Sequence, residues 1–175
     1  MRAGKVLAGA LTLVIYVDSF APIVPIPARR DPVARSAGWD DLARAVNRTH
    51  EPRLSISSYR THVGADRYQE ASALAFHLPT RPEAFALNLT SRANQYDFWP
   101  SFADRAQPRD ALILVVDDVA GAHPTVSALA PHFRSARRGE QVVLARKGDV
   151  VKQLRMWQLD GWLGTWPPRS LRSSP

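Results

Sequence analysis

Six consecutive apolar residues, Ala111-Leu112-Ile113-Leu114-Val115-Val116, stand between the charged pairs Arg109-Asp110 and Asp117-Asp118. A strand points successive side chains to opposite faces, so a run without a polar position is the pattern of a strand buried on both faces. Such a strand needs a layer above it and a layer below. The surrounding segments can supply them. Tyr68 to Leu78 puts Ala71, Leu74, Ala75 and Leu78 on one helical stripe before Pro79 stops the run. Gly38 to about Asn47 repeats Trp39, Leu42, Ala43 and Val46 at helical spacing behind Asp40 and Asp41, which suit a first helical turn. Pro124 to Leu129 reads as a third, short helix. Gly64 and Ala65 end a short strand, and Ala84 to Leu89 reads as a second. Phe133 to Arg137, Gln141 to Ala145 and Val150 to Leu159 read as closing strands, with turns at Gly139 and at Lys147-Gly148-Asp149. Arg53 to Tyr59 alternates weakly and reads as a strand or an extended loop. Strands and helices in this alternation predict an α/β domain, a three-layer α/β/α sandwich around a mixed central sheet.

A separate segment precedes this domain. Val6 to Val17 is almost unbroken apolar sequence, and after Asp18 and Ser19 it resumes through Phe20, Ala21, Ile23, Val24 and Ile26 to Pro27. Taken past Asp18 it reaches the roughly 20 residues that a spanning helix needs. Arg2 and Lys5 also make the basic start of a signal peptide, but no small-x-small cleavage pattern follows and Pro22 is an unfavourable neighbour for a peptidase. A membrane helix is therefore the favoured reading. Its orientation stays open, because Arg2 and Lys5 on one side face Arg29, Arg30 and Arg35 on the other. The expected layout is an apolar membrane segment over 1–27, a Pro-rich linker over 28–37, the soluble domain over 38–165 and a disordered tail over 166–175.

The chain carries a formal charge of +7 over 175 residues. That charge is only partly clustered, in three groups: Arg29, Arg30 and Arg35; Arg134, Arg137 and Arg138; Arg169 and Arg172. No aromatic is interleaved within them, so the stacking platform of a nucleic-acid binder is missing and no nucleic-acid partner is expected. Solvated faces and contact with an anionic membrane surface account for the surplus. The absence of cysteine excludes disulfides, thiolate metal sites and a cysteine nucleophile.

Two stretches carry chemistry. Asn94-Gln95-Tyr96-Asp97-Phe98-Trp99, followed by Pro100, combines directional amide and carboxylate groups with three aromatics, a mixture suited to a polyhydroxylated ligand or a protein surface. A turn whose Tyr96 and Trp99 merely cover the core fits the composition equally well. Asp66-Arg67-Tyr68-Gln69 stands where a strand turns into a helix, a place whose amides favour anions. Arg67 is suited there to a phosphate or carboxylate, or to pairing with Asp66 or Glu70. Asp117 and Asp118 end the buried strand, where open α/β sheets place ligands, but with no glycine-rich phosphate loop beside them they serve as well to cap turns. The histidines lack metal-ligand spacing, and neither a metal nor another cofactor is expected.

Taken together, Ala65-Asp66-Arg67-Tyr68-Gln69, Leu74-Ala75-Phe76-His77-Leu78-Pro79, Asn88 and Ser91-Arg92-Ala93-Asn94-Gln95-Tyr96-Asp97-Phe98-Trp99 resemble the soluble C-terminal domain of bacterial membrane glycosyltransferases. The family is that of the dolichyl-phosphate-mannose protein mannosyltransferases and the lipid A aminoarabinose transferase. Gly38-Trp39-Asp40-Asp41-Leu42-Ala43 behind an apolar helix, and Arg109-Asp110-Ala111-Leu112 opening a strand, agree with that layout. The resemblance covers most of Gly38 to Val116. Glu70, where an apolar residue is expected, and His77, where an aromatic is usual, depart from it. It implies transfer of a sugar from a polyprenyl-phosphate donor to a lipid or protein acceptor, with the soluble domain outside the cytoplasmic membrane. In such enzymes the catalytic acid lies in an early loop of a multi-helix membrane part, which one apolar segment does not supply. The expectation is thus a truncated last membrane helix and its extracytoplasmic domain, not catalytic alone, partnered by the membrane and by the missing catalytic portion or subunit. Asp66, Arg67, Tyr68, Gln69, Asn94, Gln95, Tyr96, Asp97 and Trp99 are the candidate contacts with a polyprenyl-phosphate sugar or glycan acceptor. A freestanding membrane-anchored module that binds glycan or anionic lipid without transfer is the other reading.

Overall fold

A computed structural model describes residues 2–21, 27, 31, 34, 37–56, 59–89, 94–146 and 148–168. Most of the linker, with Pro22, Pro25, Pro32 and the arginines Arg29, Arg30 and Arg35, lies outside the described residues, as do Ser91 to Ala93, Arg169 and Arg172. The chain divides into two compact units, Met1–Ala37 with Ala145–Val151, and Gly38–Leu144 with Lys152–Pro175.

In the first unit, helix α1 (Arg2–Phe20) is long and apolar enough over Ala3–Phe20 to cross a membrane, with a mean hydropathy of 1.4. At 1.5 Å per residue its length is about 28 Å, close to the thickness of a bilayer's hydrocarbon core. Several of its apolar side chains, among them Leu7, Leu13, Tyr16 and Phe20, are more than half exposed, which suits a lipid-facing helix. Asp18, which interrupts the run, is buried and pairs with Arg146, whose Nη2 reaches its carboxylate at 3.3 Å and its carbonyl at 2.9 Å. Arg146 Nε also donates to Asp31 at 2.7 Å. One guanidinium therefore holds two buried carboxylates near the end of α1, which explains an acidic residue in apolar sequence.

The second unit is the α/β domain. Its five-stranded mixed sheet has the order β2-β1-β3-β5-β4, formed by β1 (Thr61–Ala65), β2 (Ala84–Ala86), β3 (Ala111–Asp117), β4 (Phe133–Arg146) and β5 (Asp149–Trp162). β1 runs parallel to β2 and β3, and β3 runs antiparallel to β5. β3 is buried from Ala111 to Val116, and its period of two sorts the layers. Ile113 and Val115 join Leu42 and Val46 of α2 (Trp39–Ile56) and Leu74 of α3 (Tyr68–His77) in one cluster. Leu112, Leu114 and Val116 join Phe102 of α4 (Phe102–Arg105) and Val126 and Leu129 of α5 (Pro124–Leu129) in the other. These are the three layers that an all-apolar strand demands. Each fully buried aliphatic side chain contributes about 1.5–3 kcal/mol.

Local readings shift in three places. The first domain helix does not stop near Asn47 but continues to Ile56 with Pro52 inside it, so Arg53 belongs to a helix rather than to a strand or loop. A proline there forfeits one helical hydrogen bond, and long-range bonds offset the loss: His50 Nε2 to the Thr61 carbonyl at 3.1 Å, and Arg53 to Asp160 at 2.5 Å. Gly139 is not a turn; Phe133–Arg146 is one strand. A Cβ at residue 139 would meet the Met156 carbonyl oxygen at 3.3 Å, so this glycine permits close approach to β5. The packed chain also continues past Thr165, since Trp166 stacks on Phe102 with ring centroids 5.1 Å apart and Pro167 is buried. Phe102 thus sits among His62, Phe85, Phe133, Trp162 and Trp166.

Candidate ligand-binding site

Parallel strands β1 and β3 end at the same edge of the sheet, pairing Ala65 with Val115, so Asp66, Arg67, Asp117 and Asp118 gather there. This crest is where open α/β sheets place ligands. Asp66 anchors it: its amide donates to the Val115 carbonyl at 3.0 Å, its carbonyl accepts from Asn88 N at 3.1 Å, and its buried carboxylate accepts a short bond from the Thr125 hydroxyl. Thr125 is placed by α5, whose N-cap is His123; the His123 Nδ1 accepts from Thr125 N at 3.3 Å. That bond leaves the ring proton of the neutral imidazole on Nε2. Burial pushes the His123 pKa down, against the upward pull of Asp66 and Asp117, and Arg67 adds to the lowering.

The remaining charges of the crest are paired. Arg67 reaches Asp117 at 2.8 Å rather than Asp66 or Glu70. Lys152 of β5 contacts Asp117 at 3.2 Å and makes a short bond to Glu70 Oε1, while the buried Glu70 Oε2 has no hydrogen-bond partner among the described residues. Asp118 accepts from Arg155 Nε at 3.1 Å and Nη2 at 3.0 Å, from Arg138 at 3.2 Å and from Gln141 at 2.6 Å. The Arg155 hydrogen bonds hold its carboxyl below the usual range against some desolvation, with help from Arg138. Among the described residues no group of three His, Asp or Glu side chains is placed to hold a metal ion. Asp117 and Asp118 are spent on guanidinium and ammonium groups instead.

Beside the crest, residues Gln95–Phe98 form a 3-10 turn that buries none of its four members. A reciprocal cap fixes it: Asn94 Oδ1 accepts from Tyr96 N at 2.9 Å, and Asp97 Oδ2 accepts from Asn94 N at 2.5 Å. Asn88, on which φ is +43°, donates its side-chain amide to both Asp97 oxygens at 3.1 Å. Tyr96 is then aimed at α3, its hydroxyl 2.6 Å from Ser72 Oγ and its ring stacked on Tyr68 at 5.3 Å. Trp99 lies against Tyr96 at 4.6 Å and is 58% exposed; Phe98 is 90% exposed. Between this turn and edge strand β2 lies a cleft of about 310 Å³, lined by Tyr96, Asp97, Trp99 and Ser101 together with Phe85 and Leu87. It offers an aromatic wall, a carboxylate, a hydroxyl and the edge of a strand, a combination that can stack a ring and hydrogen-bond its substituents.

The nine sequence candidates therefore separate. Tyr68, Tyr96 and Trp99 form one continuous aromatic run; Asn94 and Asp97 build the turn that presents it; Asp66 and Arg67 belong to the crest network; Gln69 and Gln95 are exposed on the surface. His123, Thr125 and Lys152 were not singled out by sequence. His123-Pro124-Thr125 does carry a local signal, a polar cap before a proline at the first helical position, whereas nothing local announces Lys152. No family model, curated protein or solved structure gives a significant match to this chain.

Proposed function

We propose that the chain is the membrane-anchored, extracytoplasmic accessory domain of a glycosyltransferase that uses a polyprenyl-phosphate-linked sugar, with the cleft beside Trp99 contacting the glycan. The observation that carries the reading is the exposed indole of Trp99, tilted against Tyr96, whose own ring stacks on Tyr68, at the mouth of a cleft of sugar size. The sequence resemblance supports it, because Asp66 to Pro79 and Asn94 to Trp99, the two stretches that bear it, meet through the Tyr68–Tyr96 stack and the Ser72–Tyr96 hydrogen bond. Helix α1 supports an anchor. Recognition rather than catalysis fits the cleft, since its carboxylate, Asp97, is already engaged by Asn88 and the Asn94 amide. The sugar transfer itself belongs to a catalytic membrane portion.

Calorimetric titration of the detergent-solubilised full chain with oligosaccharides and a polyprenyl-phosphate sugar tests this. Trp99→Ala is expected to weaken glycan binding by about 1–2 kcal/mol, roughly five- to thirtyfold, from lost stacking and buried area. Its unfolding midpoint should barely move, because the side chain is exposed. Binding that is blind to Trp99→Ala would remove the cleft from the mechanism, and a wild-type chain silent toward every ligand in the panel would remove the function.

A further inference from the structure

The opposite edge of the same sheet, where β1 and β3 begin, holds a second and larger pocket of about 620 Å³. Arg53, Arg109 and Arg134 line it with Tyr59, Thr61 and Asp160. From this arrangement we infer a binding site for a phosphate-bearing ligand, a phosphate monoester or diphosphate, held by the guanidinium groups of Arg109 and Arg134 in the field of Arg53.

Charge is the first argument. Asp160 is the pocket's carboxylate, and it is shared between Arg53 at 2.5 Å and Arg137 at 2.8 Å. The neighbouring carboxylate, Asp110, is turned to His62 at 2.9 Å and to the amides of Arg60 and Gln107. Arg109 and Arg134 form no ion pair with a carboxylate among the described residues. Arg53 Nη1 is buried with no hydrogen-bond partner among them. That nitrogen is closed to solvent, so the available donors are those of Arg109 and Arg134, and the positive excess exceeds what the one carboxylate, already shared with Arg137, would neutralise.

Backbone conformation is the second argument. Gln107-Pro108-Arg109-Asp110 is a tight turn closed by Asp110 N to the Gln107 carbonyl at 2.9 Å, with proline at its second position and φ of +81° at Arg109, its third. Turns of this kind take glycine at that third position, because a side chain there is strained. The Arg109 side chain nevertheless lies over Tyr59 at 5.7 Å and donates to the Tyr59 hydroxyl at 3.0 Å, which fixes its guanidinium at the pocket wall. Gly161 makes the complementary concession: φ is +72°, and a Cβ there would stand 2.9 Å from Arg134 Cδ, so the missing side chain gives the Arg134 stem its seat. The backbone at two positions in one pocket thus sets where its guanidinium groups lie.

The strain supplies a test that separates binding from folding. Arg109→Gly removes the guanidinium but relaxes the turn, so its unfolding midpoint should rise by about 3 °C while affinity falls roughly tenfold. Arg134→Ala should lose affinity to a similar degree at unchanged stability. Arg44→Ala, an exposed arginine paired with Asp41 on α2, is the control and should bind as wild type. Calorimetry of the full chain in detergent at low salt would use inorganic phosphate and pyrophosphate as soluble probes, and dibutyryl phosphatidic acid as a monomeric lipid headgroup. Saturable binding of any of them, weakened by Arg109→Gly and Arg134→Ala alone, establishes the site, and the tighter probe identifies a soluble or lipid-borne phosphate. No saturable binding to wild type, or an equal loss in Arg44→Ala, overturns it. Neither result depends on Trp99, so the glycan reading stands or falls separately.

Discussion

The two edges of the sheet differ in how their charges are settled. At the crest, where parallel strands end, Asp117 and Asp118 are each held by two cations, Glu70 takes Lys152, and Asp66 is capped by Thr125. Each edge holds a buried atom without a hydrogen-bond partner among the described residues, Glu70 Oε2 at the crest and Arg53 Nη1 opposite, but at the opposite edge arginines outnumber carboxylates and one arginine sits on strained backbone. The crest is the customary position for a ligand, yet its groups are already bound to each other. A network whose charges are paired stabilises the fold; one with a surplus of cations has affinity to spare. The difference implies that crest substitutions act on stability, and those at the opposite edge act on binding.

The largest effect should come from Thr125→Val. It keeps the shape of the side chain but leaves the buried Asp66 carboxylate without its hydroxyl donor, and should cost about 2–3 kcal/mol in urea unfolding. A loss below about 0.5 kcal/mol would mean that the crest is not held together from inside. Arg155→Ala should cost less, about 1–2 kcal/mol, since Asp118 is 12% exposed at its side chain and keeps Arg138 and Gln141. The comparison with Arg134→Ala is the sharper test. Both are arginines on neighbouring strands, and equal destabilisation by the two would erase the distinction between the edges.

How much of this was legible follows the range of the interactions. β3, α3 and α5 were readable because an all-apolar run, a stripe ended by Pro79 and a proline-led helix are local patterns. The continuation of α2 through Pro52 was not, because the compensating bonds come from Thr61 and Asp160, remote in sequence. Nor was the uninterrupted β4, since Gly139 is required by Met156 on another strand. α4 is four residues long and too short for periodicity, although Ser101 and Asp104 cap each other and Phe102 lies at the centre of the aromatic core. The site divides the same way. The composition of Asn94 to Trp99 announced an aromatic surface, while the pairing of Arg67 with Asp117 and the gathering of Arg53, Arg109 and Arg134 depend on which strands lie side by side.

The smallest expected effect is a pH dependence that only the closed crest predicts. Burial lowers the His123 pKa in the folded chain below the value of about 6.5 that it regains on unfolding. As pH falls below that unfolded value, the unfolded state takes up a proton that the folded state resists, so stability drops toward acid. The contribution is fully present above the unfolded pKa and is lost as pH falls through the folded one. His123→Asn removes the titration yet retains a side chain that caps α5 well. Its stability should therefore decline less than that of wild type between about pH 7.5 and pH 5, measured by urea midpoints, with the two curves closest at the upper end. Parallel curves would show that water reaches the imidazole in both states, and the crest would then be as open as the edge that faces away from it.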